Sequence, residues 1–209
     1  MSLVRVIDSA TYPSPRLLQA CAAFGLAVRH QAGARPPAPR SAARALLAQL
    51  RPGQVALITG PSGSGKSSLL RACAAAAEHD GHRTHWAGAA SPADRPLIDA
   101  IDAPLPAALG ALAHAGLADA TLLARTPSEL SEGERFRFAL AVALSATPEG
   151  PTTLLIDEFA SVLDRTTARC LCHALRRWLR HAPHTRIIAA TAHDDVAPWL
   201  EPDLHTTTP

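Results

Sequence analysis

The chain has 209 residues, of which 47% are hydrophobic and 18% charged, and its formal net charge is +2. This balance excludes a disordered chain, and the length suits one folded domain with its own core. The small net charge argues against general nucleic-acid binding, and no apolar run reaches the ~18 residues of a membrane-spanning helix. Because Met1–Asp8 lacks the long apolar stretch of a secretory signal, we expect a cytoplasmic protein.

Apolar runs and capping signals predict alternating strands and helices along the chain. The predicted strands are Leu3–Ile7, Val55–Thr59, Thr84–Ala87, Thr152–Ile156 and Arg186–Thr191. The predicted helices are Ser14–Phe24, Ala42–Leu50 with Ser41 as its cap, Ser67–Glu78 and Arg165–His181. Continuous apolar strands joined by helices are typical of a parallel sheet. We expect the polar segment after Leu204 to fray, and the four cysteines (Cys21, Cys73, Cys170 and Cys172) to be reduced and buried.

Residues 91–147 differ in amino-acid composition from the rest of the chain. They are rich in Ala and Leu, are interrupted by prolines and contain no strand-like run. We therefore predict an α/β fold in which a small α-helical subdomain is inserted into a parallel-sheet core. The core would comprise residues 1–90 and 148–209, so that residues 1–209 form a single domain.

The segment Gly60–Ser67 fits the pattern G-x-x-x-x-G-K-[ST] and lies between a predicted strand and a predicted helix. Glycines there let backbone N–H groups surround phosphate oxygens, and the helix N-terminus adds its dipole. Lys66, the one lysine beside 19 arginines, would place its ammonium against the β- and γ-phosphates of ATP, while the Ser67 hydroxyl would ligate Mg²⁺. The predicted nucleotide contacts here are Gly60, Pro61, Ser62, Gly63, Ser64, Gly65, Lys66, Ser67 and Ser68. We expect this loop, including Lys66, to be exposed.

Two acids follow the apolar strand Thr152–Ile156. Ligands of parallel sheets lie at the carboxyl ends of the strands, so Asp157 can complete the Mg²⁺ site beside Ser67. Glu158 can then polarise the attacking water as a general base. These residues predict a P-loop NTPase that hydrolyses a bound nucleotide.

Three further segments carry a resemblance to a family. Leu130–Glu134 reads Leu-Ser-Glu-Gly-Glu and opens a helix with a capping box, Ser161–Asp164 reads Ser-Val-Leu-Asp, and His193 follows the strand Arg186–Thr191. Together with the phosphate loop and the acids, these segments stand in the order found in ABC-type ATPases. Residues 45–205 thus resemble the nucleotide-binding domain of that family, with an LSGGQ-like signature, a SALD-like loop and a switch histidine.

The resemblance implies a composite site. In ABC-type ATPases two domains pack head to tail and sandwich two ATP molecules, so we expect an ATP-dependent homodimer. Ser131 and the Gly133 backbone, at an anion-binding helix N-terminus, would face the nucleotide on the partner. Asp164 would cross to the partner's phosphate loop, and His193 would hydrogen-bond the γ-phosphate and the attacking water. The expected catalytic residues are then Glu158, His193 and Lys66.

The sequence departs from the transporter-type members of the family. The interval between the phosphate loop and the signature contains no Gln or Asn, although those members carry a glutamine there that touches Mg²⁺ and the transmembrane partner. That role is absent or is taken by Asp94, Asp99 or Asp102. No aromatic residue lies between Gly25 and Gly60 to stack on adenine. Arg35, Arg40 or Arg44 would stack instead, or are solvated linker charges.

The signature segment and its neighbours are similar to a branch of soluble ABC-type ATPases, some of which carry a predicted acetyltransferase domain. No segment of this sequence resembles that domain, so the activity is not expected. We expect a Mg²⁺-dependent ATPase that is soluble, acts on an unidentified protein partner and is not a dedicated transporter subunit.

Three alternatives stay open. The first is the ATP-binding subunit of a transporter. The second is a DNA-repair or chromosome-type ATPase head, although only 63 residues separate Ser67 from Ser131, without heptads. The third is a nucleotide-gated binding module with little turnover, against which Glu158 argues.

Overall fold

The computed structural model describes residues 5–9, 13–30, 40–88, 94–146 and 150–208. The chain separates into two compact units, Met1–Ala38 and Pro39–Pro209. In the first unit, strand β1 (Arg5–Ser9) pairs in parallel with β2 (Leu26–His30), and helix α1 (Pro15–Ala23) connects them. Ser14 caps α1, because its side-chain oxygen accepts a hydrogen bond from the Leu17 N–H at 3.2 Å.

The second unit alternates strands and helices. Its strands are β3 (Val55–Thr59), β4 (Arg83–Ala87), β5 (Thr152–Ile156), β6 (Thr185–Thr191) and β7 (Leu204–Thr207). Its helices are α2 (Arg40–Gln49), α3 (Lys66–His79), α4 (Leu105–His114), α5 (Glu132–Ser145), α6 (Arg165–Leu179) and α7 (Ala197–Leu200).

The five strands of the second unit form one sheet in the order β4-β5-β6-β3-β7. Every pairing in it is parallel. The residues of β3, β5 and β6 are all buried, as the continuous apolar runs predict for a sheet covered on both faces. The carboxyl ends of all five strands therefore lie at the same edge of the sheet.

Alternation along β3 divides the core between the two faces of the sheet. Val55 and Leu57 pack in a cluster with residues of α4, α5 and α6. Ala56 and Ile58 pack in a second cluster with residues of α2 and α3. This two-residue period is that of a β-strand, and each fully buried Leu or Ile side chain contributes about 1.5–3 kcal/mol.

The regular secondary structure described between β4 and β5 is all helical. It contains α4, α5 and two short 3-10 turns, Ala120–Leu122 and Pro127–Glu129. Apolar residues of α4 and α5 join the first cluster. This confirms the predicted α/β fold with a parallel-sheet core and an inserted helical segment. The division into a core of 1–90 and 148–209 and a subdomain of 91–147, within one domain, stays a prediction.

Several local predictions need correction. Helix α2 begins at Arg40, so Ser41 lies inside the helix and is not its cap. Strand β2 was not predicted from the sequence. All four cysteines are free, but Cys170 is exposed, because it lies on the outer face of α6 while Cys172 faces the core. The segment after Leu204 does not fray: it forms β7, since its backbone pairs with β3.

Candidate active site

The phosphate loop leads from β3 into α3 through residues that need unusual backbone angles. Gly65 precedes the helix at a φ of +93°, and Gly60 leaves the strand at a φ of +148°. Side chains disfavour both values, so glycine permits this turn. The amino end of α3 consequently opens towards the loop, as an anion-binding site requires.

Lys66 lies inside the loop. Only 5% of the residue is exposed, and its Nζ donates hydrogen bonds to the carbonyl oxygens of Gly60 (2.8 Å) and Pro61 (2.7 Å). The expectation that Lys66 is exposed is therefore wrong, because these carbonyls draw the ammonium inward. Among the described residues Lys66 has no carboxylate partner, so its charge is available to an anion.

The other predicted loop residues surround this lysine. Pro61, Ser62 and Gly63 are exposed, whereas Ser67 and Ser68 are half-buried in the first turn of α3. The structure thus places the predicted phosphate loop, with its hydroxyls and backbone N–H groups, at the carboxyl end of β3.

The neighbouring strands bring the two acids and the histidine to the same edge. Strand β6 lies between β5 and β3, with Thr59 opposite Thr191 and Ile156 opposite Ala189. Adjacent strands are ~4.8 Å apart, so the ends of β5 and β3 are separated by about 10 Å. Asp157 follows β5 and His193 follows β6, which places both at the same edge of the sheet as the phosphate loop.

Glu158 has a strained backbone and an exposed side chain. Its φ is +49°, and Ala160 has a φ of +58°, values that cost roughly 1–2 kcal/mol per non-glycine residue. Between them Phe159 is fully buried, and its N–H donates to the Ala190 carbonyl of β6 at 2.7 Å. Burial of this ring turns the chain so that the Glu158 carboxylate remains in solvent.

The signature segment begins α5 as predicted. The Ser131 side-chain oxygen accepts from the Glu134 N–H at 3.3 Å, and Glu134 Oε2 accepts from the Ser131 N–H at 2.9 Å. The backbone N–H of Ser131 is the main reason that the pKa of Glu134 lies below its usual value. This capping box confirms the predicted helix start and leaves Ser131 exposed at the helix N-terminus.

Gly133 lies against the loop that follows the acids. A Cβ atom at this position would be 3.2 Å from Leu163 Cδ2 and 3.5 Å from the Val162 carbonyl oxygen. Glu132 and Arg135 of α5 also line a cavity of about 340 Å³ together with Glu158. The start of α5 and the acidic turn after β5 are therefore neighbours in one chain.

Asp164 caps α6 within its own chain. Its Oδ1 accepts from the Thr167 N–H at 2.9 Å, and hydrogen bonds from Thr167, first from its side chain, lower the pKa of Asp164. His193 is half-buried, and its N–H donates to Thr191 Oγ1 at 3.1 Å. The predicted roles of both residues towards a nucleotide stay predictions.

Comparisons with known proteins identify the family. A family model described as an AAA ATPase domain matches residues 38–195. An aliphatic sulfonates import ATP-binding protein (SsuB 2) of Streptomyces avermitilis is 35% identical over 182 residues, covering 78% of this chain and 70% of that protein. The chain belongs to the ABC-type ATPases. The AAA model agrees on the wider class, because both groups are P-loop NTPases.

Other relatives share a smaller part of their length with this ABC-type ATPase. A hemin import ATP-binding protein (HmuV) of Pseudomonas entomophila is 36% identical, over 61% of this chain and 63% of that protein. A sulfate/thiosulfate import ATP-binding protein (CysA 2) of Agrobacterium fabrum is 30% identical, over 66% of this chain and 48% of that protein. The chain thus spans about half to two thirds of the length of these relatives.

Solved structures show the same fold. The dimeric structure of a bacterial ABC transporter cassette superposes with a TM-score of 0.57 at 19% identity, covering 76% of this chain and 83% of that one. Family membership and fold together confirm the predicted ABC-type ATPase domain and its P-loop NTPase fold.

The donors at the site fit Mg²⁺. Ser67 supplies a hydroxyl and Asp157 a carboxylate, both hard oxygen ligands, and Mg²⁺ usually adds water and substrate phosphate to one or two such groups. Within the described ranges no cluster of three or more His, Cys, Asp or Glu side chains could hold a metal by itself. A magnesium ion here would therefore depend on the nucleotide.

Sequence reasoning missed one residue that contacts the phosphate loop. Thr208 donates from its N–H to the Thr59 carbonyl (2.8 Å), and its Oγ1 lies 2.5 Å from Ser64 Oγ. The end of β7 is thus attached to the phosphate loop. The run of β-branched threonines after Leu204 is the signal that favours a strand there.

The structure describes most of the residues that would replace the family's glutamine and its adenine-stacking aromatic residue. Asp94, Asp99 and Asp102 are exposed, and Asp94 accepts a hydrogen bond from Ser128 Oγ at 2.9 Å. Arg40 and Arg44 are exposed on α2, whereas Arg35 lies outside the described residues. Whether any of them touches magnesium or adenine stays a prediction.

We expect Lys66→Ala to weaken ATP binding by at least about 100-fold, because charge-assisted hydrogen bonds to phosphate contribute ~1.5–3 kcal/mol each. Titration calorimetry with Mg-ATP measures the affinity, and circular dichroism checks folding, since the buried lysine also bonds two carbonyls. Arg71→Ala, at an exposed arginine of the same helix, is the control and should bind normally. Unchanged affinity of Lys66→Ala would contradict the assignment of the loop.

Gly60→Ala should destabilise the fold by about 1–3 kcal/mol. The new Cβ would lie 2.3 Å from Thr208 Oγ1 and 2.5 Å from the Thr208 carbonyl oxygen, so the end of β7 must move. Gly53→Ala is the matched control, because Gly53 also has a positive φ (+79°) but no atom within 4 Å of the added Cβ. Urea unfolding should show a larger loss for Gly60→Ala; equal losses would argue against the close contact.

Proposed function

We propose that this chain hydrolyses ATP as a head-to-tail homodimer, with each nucleotide held between the phosphate loop of one subunit and the signature helix of the other. The observation that carries the proposal is the common carboxyl edge of β5, β6 and β3, since the phosphate loop with Lys66, Glu158 and His193 each lie in the chain that leaves one of these strands there. The exposed amino end of α5, with Ser131 at its cap, supports the second half of the site.

In this mechanism each side chain has one task. The loop N–H groups and Lys66 bind the phosphates and neutralise their charge. Ser67 and Asp157 would hold Mg²⁺, which when bound adds positive charge at the phosphate oxygens. Glu158 takes a proton from the water molecule while the water oxygen attacks the γ-phosphorus. The bond between the γ-phosphorus and the β–γ bridging oxygen then breaks, which gives ADP and phosphate. His193 orients the water and the γ-phosphate.

The partner subunit completes the site. Ser131 and the Gly133 N–H would bind the γ-phosphate held by the other chain, because a helix N-terminus attracts anions. Asp164 would reach the partner's phosphate loop while also capping α6. ATP then joins the two subunits, and hydrolysis separates them, so that the chemical step drives a mechanical change.

We further propose that the ATPase acts on a protein partner without being a dedicated transporter subunit, and that it is cytoplasmic. The lack of Gln and Asn between Ser67 and Ser131 supports this, because transporter-type members use a glutamine there. No helix in the described ranges is long and apolar enough to cross a membrane.

One observation favours a second candidate, the ATP-binding subunit of a transporter. The relatives SsuB 2, HmuV and CysA 2 are each named import ATP-binding proteins. Affinity purification of the tagged protein from detergent-solubilised cells distinguishes the candidates. Recovery of a permease in stoichiometric amount would support the transporter subunit, whereas recovery without any membrane protein would support the first candidate.

Glu158→Gln should keep ATP affinity, since the phosphate loop is unchanged, but lower turnover by about 10²–10⁴, the usual contribution of a general base. It should also accumulate an ATP-bound dimer on size-exclusion chromatography. Glu201→Gln removes an exposed carboxylate that precedes β7 at the opposite edge of the sheet and should hydrolyse normally. Turnover of Glu158→Gln at the parent rate would show that another group is the base.

Mixing two inactive variants tests the shared site. Lys66→Ala lacks the phosphate grip, and Ser131→Arg blocks the signature surface while costing at most about 2 kcal/mol as a lost cap. A heterodimer has one site with both lesions and one with neither, so phosphate release should partly return on mixing. Ser131→Ala removes the cap without adding bulk and should remain more active than Ser131→Arg. A folded, freely exchanging mixture without activity would oppose the sandwich.

A further inference from the structure

Arg165 stands at a position where helix electrostatics disfavour it. It is the first residue of α6, directly after the cap Asp164, and a positive charge near a helix N-terminus meets the positive end of the dipole. The guanidinium is also 41% exposed and its acidic partner 47%, so their ion pair adds little to folding. Neither helix stability nor the core explains this arginine.

The contacts of Arg165 join two loops of the proposed active site. Its Nη1 donates to both carboxylate oxygens of Asp195, at 3.0 and 3.1 Å. Its Nη2 donates to the carbonyl oxygens of Ala160 (3.1 Å) and Leu163 (2.9 Å). One planar group therefore holds the turn after Glu158 and the turn after His193 together, a geometry that arginine supplies and lysine does not.

Both turns carry side chains that the proposed reaction needs. Glu158 and Ala160 have positive φ values of +49° and +58°, so their turn persists only where its surroundings hold it. Asp195 lies in the 3-10 turn Asp194–Val196, which His193 precedes directly. A bond to the Ala160 carbonyl and a bond to Asp195 thus fix the proposed base relative to the proposed switch histidine.

We propose that Arg165 is a positioning residue that aligns Glu158 and His193 for hydrolysis through its four hydrogen bonds to Asp195, Ala160 and Leu163. The proposal rests on the proposed function of the site. Arg165 touches neither the nucleotide loop nor the reacting atoms in this arrangement. Its loss should therefore lower kcat while leaving ATP affinity unchanged.

Arg165→Met tests the proposal, because methionine keeps part of the aliphatic stem and removes every donor. We expect kcat to fall about 10–100-fold, the order of loss that a misplaced catalytic group causes, with the Kd for Mg-ATP and the Tm near their parent values. Arg165→Lys should recover part of the rate, since its ammonium can still donate to one carbonyl. Arg169→Met, one turn later at an exposed arginine without an ion pair among the described residues, should hydrolyse normally.

A double-mutant comparison tests the partner. Asp195→Asn should lower kcat less than Arg165→Met, because the asparagine retains one acceptor oxygen. The double variant should be no slower than Arg165→Met alone, since the two residues act through one contact. Independent, additive losses would overturn the inference, as would a loss of kcat that merely follows a loss of Tm or of ATP affinity.

A measurement without turnover separates this inference from the proposed function. In the nucleotide-free protein, amide hydrogen exchange at residues 158–164 should rise in Arg165→Met but not in Arg169→Met. Unchanged exchange in Arg165→Met would refute the positioning role of Arg165, even if the enzyme is active. If the parent protein has no ATPase activity but exchange is faster in Arg165→Met, the positioning contacts of Arg165 are supported and the proposed hydrolysis is refuted.

Discussion

The parallel register of β5, β6 and β3 is the constraint on which the site depends. Because Thr59 pairs with Thr191 and Ile156 with Ala189, the chain leaves three neighbouring strands at nearly the same level. Residues that are about 90 positions apart in the sequence therefore meet along one edge. A slip of one residue in any of these strands would exchange the side chains that pack on the two buried faces of the sheet, so the packing of the core also fixes the geometry of the site.

This edge holds a buried charge whose hydrogen-bond partners are backbone carbonyls. Burying an ammonium is unfavourable unless hydrogen bonds compensate it. Lys66 donates two such hydrogen bonds, to the carbonyl oxygens of Gly60 and Pro61. Carbonyl groups carry only partial charges, so a phosphate is the stronger partner. The loop is consequently held in a compact form by contacts that a nucleotide can replace. Thr208 supports it from the side, through Ser64 and Thr59.

The acidic turn is built differently, from strain held by packing. Its two positive φ values are maintained by the buried Phe159, whose ring lies 6.4 Å from that of Phe136 on α5 at a tilted angle of 59°. Gly133, on the same helix, packs against Leu163. Helix α5 and the acidic turn thus share contacts within one chain. In the proposed dimer, a movement of α5 would reach Glu158 through these packed side chains.

The sequence by itself determined the elements whose chemistry is local. Strands β3 and β5 have the bounds that their apolar runs predict, the Ser131–Glu134 capping box is present, and the phosphate-loop pattern is specific because glycine, lysine and serine act within eight consecutive positions.

Only the tertiary structure decided what depends on long-range pairing. The polar segment 204–208 has no buried apolar run of its own. It lies beside the phosphate loop because its backbone pairs with the side of β3 that β6 leaves unpaired. Likewise, the bonds of Arg165 to Asp195 join residues that are 30 positions apart, and a local sequence pattern does not reveal a contact over that distance.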